Sequence, residues 1–209
     1  MKAIVTPGVA PRSPWNKGKL IGQKPPLKLQ EIWTLRTRLQ LAGETRELAL
    51  FNLAIDSKLR GCDLVGLRVQ DIVHGEHVLA RASVTQRKTG EPVRFELGQQ
   101  TREAVAAWIA QAKLSPGDYL FPSRQHNSPH LSTRQYGRIV KRWVALFGGD
   151  PQAYGTHSLR RTKATLIYRQ TRNLRAVQLL LGHRKLESTV RYLGIEVDDA
   201  QEMADRTEC

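Results

Sequence analysis

The chain has 209 residues and contains little cysteine: Cys62 lies inside it, and Cys209 is the last residue. Two cysteines so placed cannot make the disulfide framework of a small secreted domain, which fits a reducing compartment. The sequence also lacks an apolar run long enough for a signal peptide or for the roughly 20 residues of a transmembrane helix. We therefore expect a soluble, cytoplasmic protein with no membrane partner.

Acidic residues are scarce as well. The sequence has 19 Asp and Glu against 33 Lys and Arg, which gives a net charge of +14. A chain this basic favours a polyanionic partner, first nucleic acid and second an anionic membrane surface. No amphipathic helix with an aromatic face is evident, so the membrane surface is the weaker candidate. Nucleic acid is the expected partner.

Two common kinds of site are missing. The sequence has no Gly-rich phosphate loop ending in Lys-Ser or Lys-Thr, so nucleotide hydrolysis is not indicated. The six histidines include two close pairs, His74 with His77 and His126 with His130. Neither pair is joined by the cysteine or carboxylate cluster that would complete a zinc site. We expect no metal ion and no cofactor.

The composition changes along the chain and predicts three parts. Residues 1–26 contain five prolines, several basic side chains and no acid, as in an extended, flexible basic arm; a plain flexible terminus is an equally good interpretation. Residues 27–195 carry the patterned elements of one domain. Residues 196–209 form an acidic tail, which DNA would repel and which we expect to pack on protein.

Hydrophobic spacing predicts a mainly helical domain. The predicted helices span residues 28–41, 44–57, 99–113, 132–147, 157–169 and 174–181, and two short helices begin near Asp63 and Glu187. Alternating residues between 76 and 97 predict a β-hairpin or a small meander with a glycine-containing turn, and residues 118–123 are predicted as a loop. The predicted fold class is therefore α+β, mainly α with a small antiparallel β-sheet.

Residues 156–192 are the most distinctive stretch, with nine Lys or Arg against one acid. His157 and Arg160 are spaced i, i+3, so both lie on one face near the start of a predicted helix, where free amides also favour an anion. A guanidinium can grip two phosphate oxygens at any working pH. After the predicted stop at Gly182, His183 occupies a fixed corner. The stretch therefore resembles a phosphate-handling surface.

Tyr192 is a candidate nucleophile towards phosphorus. A free phenol has a pKa near 10, so on the order of a thousandth of it is ionised at neutral pH. Surrounding arginine and imidazole groups would stabilise the phenolate and the transition-state charge by roughly 3 kcal/mol for each well-placed donor. Tyr136, Tyr154 and Tyr168 are the rival tyrosines, but core packing accounts better for each of them.

The stretches 157–160 (HSLR) and 181–183 (LGH), followed by Tyr192, resemble the H-x-x-R, L-G-H and nucleophilic tyrosine motifs of the tyrosine recombinases, also called phage-type integrases. The nine-residue step between His183 and Tyr192 also fits that family. The resemblance covers about residues 28–195 and implies the fold of the family's catalytic domain.

The same resemblance implies two further site residues. Arg60 matches the family's first arginine, and Asp63 stands where an acidic residue, commonly Glu, supports that arginine. Lys88 matches the catalytic lysine of the hairpin and could protonate a leaving oxygen; strand alternation puts its neighbour Arg87 on the opposite face. The implied catalytic set is Arg60, Lys88, His157, Arg160, His183 and Tyr192.

The roles of the two histidines also come from the resemblance. His157 is expected to act as a general acid or base near the tyrosine. A tryptophan replaces His183 in some relatives, so packing and a hydrogen bond to phosphate are expected to matter more there than proton transfer. Without the motifs, His157 would be interpreted as a capping or core histidine, and Arg60 and Lys88 as ordinary surface cations.

The implied activity is site-specific DNA recombination by integration, excision or inversion, as in mobile elements. DNA strands would be cut and rejoined through a 3′-phosphotyrosine, which the 5′ hydroxyl of another strand attacks. The family also implies a homotetramer on double-stranded DNA, accessory DNA-bending proteins, and a nucleoid-associated location in a bacterial or phage-type system. The acidic tail is then a candidate exchange element between protomers.

Two alternative functions share these features. A non-cleaving DNA-binding accessory protein would have similar basic helices, but it would not need all six residues. A type IB-like topoisomerase would use the same chemistry, but it usually lacks the Leu-Gly-His block. Because little sequence precedes residue 28, the chain resembles the short recombinases without an N-terminal DNA-clamping domain, or else it is a fragment.

Overall fold

The computed structural model describes residues 23–124 and 128–194, which fold mainly as helices. The predictions for the acidic tail, for most of the basic arm and for His126 concern residues outside these ranges. The elements are α1 (Leu29–Leu41), α2 (Thr45–Ser57), α3 (Gly61–Val65), a 3₁₀ turn (Val69–Asp71), β1 (Val73–His74), β2 (His77–Val78), β3 (Arg81–Thr85), β4 (Pro92–Glu96), α4 (Gln99–Ala112), α5 (Thr133–Leu146), α6 (Thr156–Thr171), α7 (Leu174–Leu181) and α8 (Leu186–Leu193).

The predicted fold class is confirmed, and the sheet is more divided than expected. Strands β3 and β4 form the predicted antiparallel hairpin, with Ala82 opposite Phe95 and Val84 opposite Val93. A second two-stranded sheet, β1–β2, precedes it. Its strands are two residues long, too short for alternation to be visible, and Gly75 makes its turn with a φ of +59°.

Helix α2 lies at the centre of the core. Most of its residues are buried, because it packs against α1, α4 and α6. Phe51 on α2 meets the edge of Trp143 on α5, with ring centroids 5.4 Å apart. The indole Nε1 of Trp143 donates a hydrogen bond of 2.7 Å to Glu47, so this buried carboxylate has a partner.

Helices α6, α7 and α8 share a second, smaller core. Its buried members are Ala164, Tyr168, Val177 and Leu181, and Tyr192 and Leu193 of α8 pack against them. An eight-residue helix has little stability of its own in water, so this packing is what fixes α8. Residue 192 is thereby held beside α6 of the same chain.

The rival tyrosines have structural partners. Tyr136 and Tyr168 are buried in the two cores, as expected. The Tyr154 ring packs edge-on against Phe147, and its hydroxyl donates to the Glu31 carboxylate over 3.3 Å. These contacts confirm that packing accounts for all three. None of the described helices is long and apolar enough to cross a membrane.

Candidate active site

Arg160 forms the base of the site. It lies one turn into α6 and is only 3% exposed. Its Nη2 atom donates a 2.7 Å hydrogen bond to the carbonyl oxygen of Leu181, at the end of α7. Its Nη1 atom is buried and has no hydrogen-bond partner among the described residues. A buried guanidinium N–H without a partner can donate a hydrogen bond to an anion.

Tyr192 lies over this arginine. The Cζ atoms of Arg160 and Arg161 are 5.9 Å and 4.9 Å from the centroid of its ring. Its hydroxyl donates a long, 3.5 Å hydrogen bond to the carbonyl oxygen of His157. Burial raises the pKa of the Tyr192 phenol, while the positive charges of Arg160 and Arg161 act in the opposite direction.

His183 is fixed against the same tyrosine. Gly182 ends α7 in a left-handed conformation with a φ of +63°, which turns the chain at this point. The Nδ1 atom of His183 lies 3.0 Å from the hydroxyl of Thr189, and its ring meets the Tyr192 ring edge-on with centroids 5.3 Å apart. Burial, followed by the charges of Arg160 and Arg60, lowers the pKa of His183 to about 4.

His157 lies on the open side of the site. The residue is exposed, yet the surrounding protein removes part of the hydration of its ring, and this desolvation is the main cause that lowers its pKa. The charges of Arg160, Arg161, Arg60 and Lys88 lower it further. The ring is therefore mainly neutral at pH 7 and able to accept a proton.

Arg60 is supported differently from the prediction. It precedes α3 in an extended conformation, and its Nη1 atom donates to Oε1 of Gln86. Within residues 23–124 and 128–194, Arg60 and Asp63 form no ion pair. The buried Asp63 carboxylate instead accepts a 3.0 Å hydrogen bond from the backbone N–H of Arg87. The expected direct support was wrong, because this carboxylate anchors the hairpin turn.

Lys88 is exposed in that turn, between β3 and β4. Its charge acts on His157 and so reaches the site. The side chain of Arg87 lies beside Gly66. A Cβ atom added at Gly66 would be 3.1 Å from Nη2 of Arg87. Lys88 and Arg87 are both exposed and follow the end of β3 at Thr85, so they belong to the turn, and the predicted strand alternation does not apply to them.

A further contact holds the turn that carries Lys88. Arg184, which follows His183, donates to Oε1 of Glu91 over 2.7 Å and to the carbonyl oxygen of Thr89 over 3.4 Å. The β3–β4 turn is thus tied to the loop between α7 and α8.

Contacts and charge effects join all six predicted residues around one surface. They come from the residue before α3, the β3–β4 turn, α6, the loop after α7, and α8: Arg60, Lys88, His157, Arg160, His183 and Tyr192. In the part of the chain that the structure describes, no group of three His, Cys, Asp or Glu side chains could hold a metal ion. The surface is strongly basic and has a phenol at its centre.

Comparison with known proteins assigns the family. A model of the phage integrase family matches residues 27–198. The chain belongs to this family. The match spans every helix and strand described above, so the assignment concerns the whole domain and not a single motif.

This member of the phage integrase family is similar in sequence to two curated relatives. The probable integrase/recombinase YoeC of Bacillus subtilis is 29% identical over 82% of the chain and 87% of the relative. The tyrosine recombinase XerC of Neisseria gonorrhoeae is 31% identical over 77% of the chain, but only 50% of the relative. The chain therefore spans about half the length of such XerC proteins.

Solved structures show the same fold as this integrase family member. The XerA recombinase matches with a TM-score of 0.72 at 20% identity, covering 90% of the chain and 67% of that structure. The XerH recombinase bound to its difH substrate matches with a TM-score of 0.68 at 18% identity, over 91% of the chain and 57% of that structure. The fold is that of a tyrosine recombinase catalytic domain.

Three residues of the site were not predicted. Arg161 contacts the Tyr192 ring and donates to the carbonyl oxygen of Lys24, and Thr189 holds the His183 ring. Gln86 binds Arg60. Only Gln86 has a signal in the sequence, because it continues the inward face of β3 and is a polar residue at an apolar position.

Proposed function

We propose that this chain is the catalytic domain of a site-specific DNA recombinase that cuts and rejoins strands through a 3′-phosphotyrosine. The observation that supports it best is the Tyr192 phenol lying over the buried Arg160, which keeps one N–H free for an anion. A phosphodiester bound there would present its phosphorus to the phenol oxygen. We further propose residues 27–195 as this domain, 1–26 as its DNA-binding arm and 196–209 as a protein-binding tail.

The first step forms one bond and breaks another. The Tyr192 oxygen attacks the phosphorus, and the bond from phosphorus to the 5′ oxygen breaks. Arg60 and Arg160 stabilise the charge on the nonbridging oxygens, a contribution of roughly 3 kcal/mol for each well-placed donor. Because one phosphate ester replaces another, no external energy source is required, and the 5′ hydroxyl of a second strand can reverse the reaction.

Two proton transfers accompany this exchange. The phenol proton leaves for His157, which is mainly neutral at pH 7 and so able to accept it. The departing 5′ oxygen takes a proton from Lys88, whose long stem lets the ammonium reach from the turn. His183 positions the Tyr192 ring and donates a hydrogen bond to the phosphate. Its imidazole stays neutral throughout the step.

The proposal includes double-stranded DNA as substrate and partner. Solved relatives include a lambda integrase dimer bound to its core site and XerH bound to difH. By analogy we propose a homotetramer on DNA, helped by accessory DNA-bending proteins. Such a substrate implies a nucleoid-associated, cytoplasmic location.

The proposal is tested with nicked duplexes that lose a short strand after cleavage and so trap the covalent intermediate. We expect a protein–DNA adduct with the wild-type chain and none with Tyr192→Phe, because the attacking oxygen is gone. Denaturing electrophoresis of labelled DNA detects the adduct, and peptide mapping locates it.

Tyr154→Phe is the matched control, since its hydroxyl is bound to Glu31 away from the arginines. This variant should form the adduct at the wild-type rate. DNA binding without an adduct on any tested duplex would contradict the proposal and favour a non-cleaving accessory protein. An adduct that survives Tyr192→Phe would reject Tyr192 as the nucleophile.

A further inference from the structure

Gln86 is a polar side chain in an apolar position. It follows β3 on the strand's inward face and is only 1% exposed. Burying an amide costs free energy unless its polar atoms find partners. Here both ends have them: Oε1 accepts from Arg60 and from the Thr89 hydroxyl at 3.0 Å, and Nε2 donates to the carbonyl oxygen of Leu181 at 3.4 Å.

These contacts connect parts of the site that are far apart in the sequence. Arg60 precedes α3, Thr89 is next to Lys88 in the turn, and Leu181 ends α7. The Leu181 carbonyl also accepts the 2.7 Å hydrogen bond from Nη2 of Arg160. Gln86 therefore belongs to one hydrogen-bonded network with both arginines of the site.

The fit around Gln86 is close. A Cβ added at Gly182 would lie 3.2 Å from its Nε2 atom and 2.6 Å from Cγ2 of Val93. Space at this point is therefore limited, because the amide packs closely against the end of α7. A side chain held at both ends in a close-packed place is suited to orient a neighbour.

Arg60 needs such a neighbour. An arginine side chain loses up to about 2 kcal/mol of rotamer entropy when it is fixed in one geometry. With no ion pair to Asp63, the amide oxygen of Gln86 is the acceptor that fixes the Arg60 guanidinium. Any misplacement of this group by about 1 Å would weaken its grip on a phosphate by a large factor.

We propose that Gln86 is a positioning residue that acts through Arg60. Its amide oxygen holds the Arg60 guanidinium beside Arg160, so that both can bind the nonbridging oxygens of one phosphate. The inference rests on the proposed recombinase function. Gln86 itself contacts neither the phosphate nor the phenol.

The test is a double-mutant cycle on the rate of adduct formation, measured in single turnovers with saturating protein on the nicked duplex. Gln86→Met keeps the approximate shape and removes the acceptor, and we expect it to slow the reaction about tenfold or more. Combined with Arg60→Ala, it should slow the reaction no further, because its target is absent. Affinity for DNA should change less than threefold. Gln86→Leu repeats the measurement if Gln86→Met does not fold.

Asn52→Leu is the control for loss of a buried amide. Asn52 is 2% exposed and accepts a 2.8 Å hydrogen bond from Arg36, not from a site residue. Asn52→Leu should leave the rate of adduct formation unchanged, both in the wild-type chain and in Arg60→Ala. A wild-type rate for Gln86→Met, or an equal slowing with and without Arg60, would overturn the inference alone. A wild-type chain that forms no adduct would overturn the proposed function and this inference with it.

Discussion

At the scale of single residues, the two histidines beside Tyr192 are less basic than free histidine. For His183 the main cause is burial, which penalises the charged ring, and the neighbouring arginines add to it. Its pKa of about 4 means that the ring is neutral throughout the physiological range. His183 is therefore suited to hydrogen bonding and packing, whereas the more exposed His157 is better placed to exchange protons.

The lowered pKa of His183 predicts how stability depends on pH. Below an unfolded-state pKa of about 6.5, the unfolded chain binds a proton that the folded chain does not bind until about pH 4. Protonation therefore favours the unfolded state, and the free energy of unfolding should fall as the pH drops from about 6.5 to about 4. Chemical denaturation at several pH values measures this fall.

His183→Asn isolates the contribution of this ring. Asparagine can still donate or accept a hydrogen bond at the Thr189 hydroxyl but cannot be protonated, so the fall in stability between pH 6.5 and pH 4 should become shallower. His77→Asn, at an exposed position of β2, is the control for the exchange of histidine for asparagine as such. An unchanged pH dependence in His183→Asn would show that the ring is not held neutral.

At the scale of elements, the end of α7 fixes the corner on which His183 lies. Gly182 has a φ of +63°, and an added Cβ would lie 2.6 Å from Val93. Gly182→Ala should therefore cost about 1 kcal/mol for the left-handed backbone and at least about 1 kcal/mol more for the collision. It should also slow adduct formation, because α7 and His183 must move. Thermal or chemical unfolding measures the first effect.

Gly194, at the end of α8, is a matched control. It has a φ of +68°, but an added Cβ would find no atom of the described residues within 4 Å. Gly194→Ala should therefore show only the backbone cost. Val93→Ala should relieve the collision, so the pair Gly182→Ala with Val93→Ala should cost less than the sum of the two single changes. Equal losses for the two glycine variants would argue against a collision at α7.

The elements themselves could be predicted because their signals are local. The spacing of apolar residues and the stop at Gly182 lie within a few positions of one another, and the predicted helices and hairpin are confirmed. The links between elements have no such signal. Gln86 meets Leu181 across 95 positions, and Arg161 meets Gln23 across 138. The Asp63 prediction failed for the same reason, because its true partner is a backbone N–H of another element.

At the scale of the whole molecule, the segment before α1 joins the site to the start of the described chain. Leu27 is buried, and its N–H donates to the Thr162 hydroxyl over 2.9 Å. Arg161 binds Gln23 and the Lys24 carbonyl oxygen while its guanidinium lies over the Tyr192 ring. Residues 23–26, which we predicted as the end of the basic arm, therefore pack on the domain, and any test of DNA binding by the arm has to leave them in place.

Removal of residues 1–22 should weaken DNA binding and reduce its dependence on salt. The deletion removes four cations, Lys2, Arg12, Lys17 and Lys19, and no acid. Each phosphate contact releases counterions, so loss of four contacts would reduce the slope of log K against log salt by up to about 3.6. The 209-residue chain with these four residues changed to Gln is the control and should show the same slope as the deletion. Equilibrium binding to duplex DNA at several salt concentrations gives the slopes. If the deletion variant has the same slope as the wild-type chain, the arm does not contact the phosphates.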